Sequence, residues 1–229
     1  MRGIAFCEME KITFKSNDGL KITADYYRVE NHNNFIVLCH RSHCNRAEYR
    51  ETAPKFNKLG YSCLAIDQRS GMKIFAETNE TKNRAKEKGL PTGYLDAKPD
   101  IESAVNYAYK LNGNKPIYLL GSSYSASLAL LTSSQTDKIK ATIVFSPGEY
   151  LKGINLAEQI KTINIPIFAT SAKKEIEQVS EVLKFVDKKY ITHFKPRVEG
   201  FHGSKTLWET VKGYETYWKA LEQFLKNIN

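Results

Sequence analysis

A serine at a sharp bend, five histidines and a few carboxylates that follow apolar runs are the groups in this 229-residue sequence suited to covalent chemistry. Ile117-Tyr118-Leu119-Leu120 leads into Gly121-Ser122-Ser123-Tyr124-Ser125-Ala126 and then into an apolar stretch. That pattern reads as strand, tight turn and helix. Small residues two positions either side of Ser123 let the backbone bend sharply and lift the hydroxyl above a sheet. The Tyr124 N–H then points out of the helix N-terminus toward a developing oxyanion. The same pentapeptide also suits an ordinary turn in which Ser123 caps the helix. A serine nucleophile needs a base, and the base needs an orienting acid. For the base, His32, His40, His43, His193 and His202 are the choices.

The elements that must position these groups alternate along the chain. Ile12–Lys15 and Leu20–Tyr27 flank Asn17-Asp18-Gly19, a hairpin signal because glycine tolerates the positive φ of a tight turn. Strands are expected at Phe35–Leu38, Tyr61–Ile66, Ile117–Leu120, Ala141–Phe145, Ile165–Thr170 and Tyr190–Lys195. Helices are expected over Arg46–Leu59, Asp100–Lys110, Tyr124–Thr132, Glu175–Phe185 and Trp208–Leu225. Short apolar strands separated by helices imply a parallel sheet covered on both faces. Residues 71–98, polar and broken by Gly89, Pro91 and Gly93, read as an irregular insertion and a candidate small flap.

Two further motifs sharpen the picture. Val37-Leu38-Cys39-His40-Arg41-Ser42-His43 ends a strand in His and a loop, and Ile66-Asp67-Gln68-Arg69-Ser70-Gly71 ends the next strand in D-x-R-x-G. Together with the serine turn, and in this order, they make the chain resemble an α/β-hydrolase of the dienelactone hydrolase and small serine esterase branch, from about Ile12 to Phe224. The resemblance implies an α/β-hydrolase fold: a mostly parallel central sheet with helices on both faces, an N-terminal antiparallel hairpin and no large cap domain. By position, it makes Ser123 the nucleophile and Ser42 the second oxyanion N–H donor beside Tyr124. Arg41 and Tyr124 then border the substrate pocket, and His40 either joins them or packs under the loop without touching substrate. Arg41 stands where the family has glycine and brings a cation to that loop. The base belongs in a loop after the last strand, where Glu199-Gly200-Phe201-His202-Gly203 supplies His202. The acid belongs after Ile165–Thr170, where Glu175 stands in place of the usual aspartate; Glu177 and Glu149 are the alternatives. Asp67 and Arg69 read as a brace for their turn.

The activity implied is a serine hydrolase cleaving a carboxylic ester with a small or exposed acyl group, on a small-molecule or saccharide-linked substrate. The same triad would serve a peptidase, thioesterase or acyltransferase, and a non-catalytic binding member of the fold is the other alternative. Neither a metal nor a cofactor is required, since no zinc-like His/Cys spacing, G-x-G-x-x-G or P-loop occurs. The net charge is +9, but basic residues are interspersed with acids, which speaks against a nucleic-acid footprint. Cys7, Cys39, Cys44 and Cys63 form no CxxC pair, and no apolar run approaches the ~20 residues of a membrane helix. The whole chain, 1–229, reads as one soluble domain whose residues 1–9 are a leader remnant or added tail. Its compartment is cytoplasmic, or periplasmic or secreted if a leader was removed.

Overall fold

The computed structural model describes residues 9–30 and 34–228, so Cys7, His32 and most of the expected leader remnant lie outside the described residues. Eight strands form one sheet: β1 (Met9–Lys15), β2 (Lys21–Tyr27), β3 (Asn34–Cys39), β4 (Tyr61–Ile66), β5 (Ile117–Ser122), β6 (Ile139–Phe145), β7 (Ile167–Thr170) and β8 (Ile191–His193). Their spatial order is β1-β2-β4-β3-β5-β6-β7-β8. The hairpin β1–β2 joins β4 antiparallel, and every pairing from β4 to β8 is parallel.

Alternation within the strands sends side chains to two cores. Ile117 and Leu119 of β5 point to one face and Tyr118 and Leu120 to the other. The first face is covered by α3 (Lys98–Leu111), α4 (Tyr124–Ser133) and α6 (Ile176–Val182), the second by α1 (Thr52–Lys58) and α7 (Tyr214–Asn227). Strands covered on both sides can be apolar throughout, which is why β3, β4 and β5 lack a polar face. Helix α4 has no exposed face either, since all ten of its residues are buried. The two tryptophans both belong to the C-terminal segment. Trp208 donates its indole N–H to the Glu48 carbonyl at 3.1 Å, and Trp218 donates to the Leu207 carbonyl at 2.9 Å.

Three expectations change. The helix foreseen over Arg46–Leu59 divides into a 3₁₀ turn at Arg46–Tyr49 and α1, because Pro54 has no N–H for the Arg50 carbonyl and its ring would clash there. Residues 71–98 are not irregular throughout: α2 (Glu80–Glu87) starts at Asn79, whose side chain accepts the Lys82 N–H at 2.8 Å. This helix docks on β2, where the Thr81 hydroxyl accepts the Thr23 N–H at 3.0 Å. The last helix begins at Tyr214 rather than Trp208, after Gly213 in the left-handed region (φ 82°). A short helix, α5 (Leu156–Gln159), follows β6. Among the described residues no helix is long and apolar enough to cross a membrane.

Candidate active site

At the C-terminal end of β5 the chain turns through Ser123 at φ 60°, ψ −125°, a region costly for a side chain. The surroundings over-determine it. The Ser123 N–H donates to the Phe145 carbonyl at 2.8 Å, pinning the bend to β6. A Cβ on Gly121 would come within 2.3 Å of the Ser125 carbonyl oxygen, so only glycine lets α4 pack this close to β5. Ser125 occupies the other small position and does more than fit. Its Oγ lies 2.7 and 2.8 Å from the Cys39 and His40 carbonyls and accepts the Ser122 N–H at 3.0 Å, tying the bend to the end of β3.

Ser123 Oγ lies 2.7 Å from His202 Nε2, and His202 Nδ1 lies 2.9 Å from Glu175 Oε1. The three come from the β5–α4 turn, the loop after β8 and the 3₁₀ turn preceding α6. Glu175 Oε2 accepts the Ser146 hydroxyl at 2.6 Å and the Ala172 N–H at 3.3 Å, while the same Ser146 Oγ accepts the Gly203 N–H at 2.9 Å. Burial pushes the Glu175 pKa up. The hydrogen bonds from His202 and Ser146, with the His202 charge, outweigh that and hold it below the ordinary glutamate value. The Lys173 N–H donates to the Glu199 carbonyl at 2.9 Å, joining the loops of acid and histidine. Gly203 adopts φ 75°, and a Cβ there would come within 2.5 Å of Ser122 Oγ.

The other candidates are placed elsewhere. Glu149 spends both oxygens on the N–H groups of Leu156 and Ala157, at 2.8 and 3.2 Å, in the first turn of the helix that Asn155 caps. His193 lies on β8, and exposed His43 sets Nδ1 3.0 Å from Met72 Sδ. The Tyr124 ring, expected at the pocket wall, exposes no surface, and neither does His40, which packs under the loop. His40 Nε2 accepts the Gln68 N–H at 3.0 Å, so Nδ1 carries the proton and donates to the Arg41 carbonyl at 2.8 Å. Burial pushes the His40 pKa down to about 4. The Tyr124 hydroxyl accepts from Ser70 and Gln68, and its ring stacks on Tyr94 at 4.4 Å. What Tyr124 can offer a substrate is its N–H, at the first position of α4, where no intrahelical carbonyl is available. Ser42 stands in the turn that follows β3. Arg41 lays its guanidinium over the Phe201 ring (5.7 Å), with Nε 3.8 Å from Glu48. Asp67 and Arg69 do not pair with each other. Asp67 accepts from Arg46, and Arg69, in the turn after β4, grips Asp100 and Asp18.

Sequence reasoning missed Glu48, Ser146 and Tyr150. The Tyr150 hydroxyl accepts from Gln178 Nε2 at 2.8 Å and interacts with Ser123; burial raises its pKa. Tyr150 and Gln178 open onto a groove of about 740 Å³ that continues past Asn155, Ala157 and Val182. Among the described residues no cluster of three His, Cys, Asp or Glu side chains is placed to hold a metal ion.

A family model described as Serine aminopeptidase, S33 (Hydrolase_4) matches residues 30–224. The chain belongs to that family. Other members of the α/β-hydrolase fold superpose over nearly the full length of this serine aminopeptidase family chain. An esterase of Pyrococcus furiosus shares 17% identity with a TM-score of 0.75, covering 97% of this chain and 93% of its own. A dienelactone hydrolase from Anabaena variabilis, 11% identical, gives 0.73 over 97% and 98%. A thermostable carboxyl esterase from Bacillus coagulans, 11% identical, gives 0.74 over 96% and 98%. No curated protein sequence matches. The family and these likenesses agree with the α/β-hydrolase, esterase-like resemblance and with the architecture described above.

Proposed function

We propose that this hydrolase-family chain cleaves carboxylic esters through an acyl-enzyme on Ser123. The observation that carries the reading is the unbroken Ser123–His202–Glu175 chain, at 2.7 and 2.9 Å, mounted on a strained strand-to-helix bend. His202 Nε2 takes the Ser123 proton as Oγ attacks the carbonyl carbon, and the imidazolium Nδ1–H is held by Glu175, which its neighbours keep ionised. The Tyr124 and Ser42 N–H groups receive the oxyanion. Collapse expels the alcohol, protonated by His202, and a water activated by the same imidazole releases the acid.

Esters are favoured over aminoacyl peptides by the groove beside Tyr150. An aminopeptidase must hold a substrate ammonium, yet the Glu149 carboxylate there is engaged by the N–H groups of Leu156 and Ala157. The solved proteins it resembles are likewise called esterases and a dienelactone hydrolase. The open groove suits a small-molecule ester or an acyl group exposed on a saccharide. Purified protein is tested on p-nitrophenyl esters from acetate to octanoate, acetylated sugars and aminoacyl-naphthylamides, alongside labelling by a fluorophosphonate. Turnover of short esters with labelling abolished by Ser123→Ala is the expected result. Turnover of the naphthylamides alone would replace the ester reading with a peptidase.

A further inference from the structure

We propose that Glu48 is a positioning residue that holds the nucleophile turn, the oxyanion loop and the histidine loop in register; the proposal rests on the serine hydrolase reading above. The Glu48 side chain is fully buried. Taking a carboxylate out of water is costly unless donors replace the water. Here three donors come from three different pieces of the site, and the Cys44 thiol adds a fourth from the Arg41 loop. Oε2 accepts the Arg41 N–H at 2.9 Å, one residue before Ser42. Oε1 accepts the Ser122 hydroxyl at 3.0 Å, one residue before Ser123, and the Ser204 hydroxyl at 2.6 Å, two residues after His202. The Ser204 N–H in turn donates to Ser122 Oγ at 2.8 Å, closing a ring of contacts beneath the Ser123–His202 hydrogen bond. None of the four groups contributes to the Ser123–His202–Glu175 chain itself.

The consequence is geometric. His202 reaches Ser123 from a loop that the Lys173–Glu199 and Gly203–Ser146 hydrogen bonds hold to the acid's side of the site, and Ser204 is the residue that ties it to the bend. Misplacing a catalytic group by 1 Å costs a factor on the order of 100 in rate. The Arg41 guanidinium, 3.8 Å away and without a hydrogen bond from Nε, adds charge compensation but no tether. Substitutions separate tether from charge. In Glu48→Gln the amide oxygen faces the Arg41 N–H, which cannot reverse, and the NH₂ faces the Ser204 hydroxyl, which can. Glu48→Ala removes the acceptor that the three segments share and leaves the Ser204 N–H to Ser122 Oγ bond as the remaining link between the histidine loop and the bend.

The test measures kcat and KM on p-nitrophenyl acetate, and fluorophosphonate labelling rates, for wild type, Glu48→Ala, Glu48→Gln and Ser204→Ala, with folding followed by circular dichroism. We expect Glu48→Ala to lose about 100-fold in kcat and labelling rate with KM within about threefold. Glu48→Gln should stay within about fivefold of wild type, and Ser204→Ala should lose about tenfold. A folded Glu48→Ala that labels at the wild-type rate overturns the proposal while leaving the nucleophile reading intact. If Glu48→Ala does not fold, Ser204→Ala decides, and a wild-type kcat in that variant overturns it. A wild type that neither labels nor turns over esters overturns the function reading, and this proposal with it.

Discussion

Replacing Glu175 by glutamine is the most demanding check on the proposed chemistry, because it changes one atom and its outcome follows from the neighbours. For Nε2 to take the Ser123 proton, His202 must carry its own proton on Nδ1. Glu175 Oε1 enforces that tautomer by accepting it at 2.9 Å. At the other oxygen, the Ser146 hydroxyl and the Ala172 N–H both donate. A glutamine carbonyl therefore seats where Oε2 was, since the Ala172 N–H cannot reverse, and the NH₂ group faces Nδ1. It then donates to the ring, and the proton moves to Nε2, where it blocks deprotonation of Ser123. The loss expected is that of a wrong tautomer, about 10³–10⁴ in kcat, or roughly 4–5.5 kcal/mol of transition-state stabilisation. Because the side chains are isosteric, unfolding stability should change by less than about 1 kcal/mol. Initial rates on p-nitrophenyl acetate, with urea unfolding of the same samples, measure both. A variant that keeps kcat within tenfold of wild type would refute the assignment of Glu175 as the orienting acid.

Three further outcomes follow from particular contacts. Ser123→Ala should leave less than about a thousandth of the esterase rate without unfolding the protein, read from kcat beside a thermal melt. Gly121→Ala sets a Cβ 2.3 Å from the Ser125 carbonyl and 2.6 Å from the Ala126 Cα, both backbone, and should cost about 1–3 kcal/mol in urea unfolding; an unchanged midpoint would contradict the close α4–β5 packing. His40 is neutral when folded, with a pKa near 4 against 6.5 ordinarily, so the unfolded chain binds the extra proton as pH falls from 6.5 to 4. Wild type should therefore lose up to about 3 kcal/mol relative to His40→Gln between pH 7 and pH 4, and a pH-independent difference between the two proteins would contradict this.

How much of this is legible in the sequence depends on how local each cause is. The bend at Ser123 is legible because strand, small residues and helix are consecutive. The meeting of Ser123, His202 and Glu175 follows from the resemblance, which orders them along the chain; no spacing in the sequence brings residues 123 and 202 together. Glu48 is illegible because it sits among polar residues in a stretch that reads as a helix, and its burial arises only when the segments of Ser122 and Ser204, 74 and 156 residues away, converge on it. Tyr124 misleads for the opposite reason, while His40 takes the second of its two readings and packs under the loop. Their neighbours in sequence belong to the site, but the buried Gln68 and Ser70 draw both side chains under the loop. The split at Arg46–Leu59 is local, written in Pro54, and a reading weighted toward apolar spacing passes over it.

Both tryptophans lie in the last 22 residues of the chain, and each indole N–H bonds to a backbone carbonyl under the C-terminal cover. Trp208 touches the turn that carries Glu48, and Trp218 packs beside Phe56 of α1. Tryptophan emission from this protein therefore reports the docking of its final segment rather than formation of the central strands. Refolding followed at the indole band and by the return of ester hydrolysis should run in step, because Trp208 follows His202 by six residues and bonds to the turn that carries Glu48. On a translating ribosome the same dependence means that Ser123 emerges well before the segment that would make it reactive.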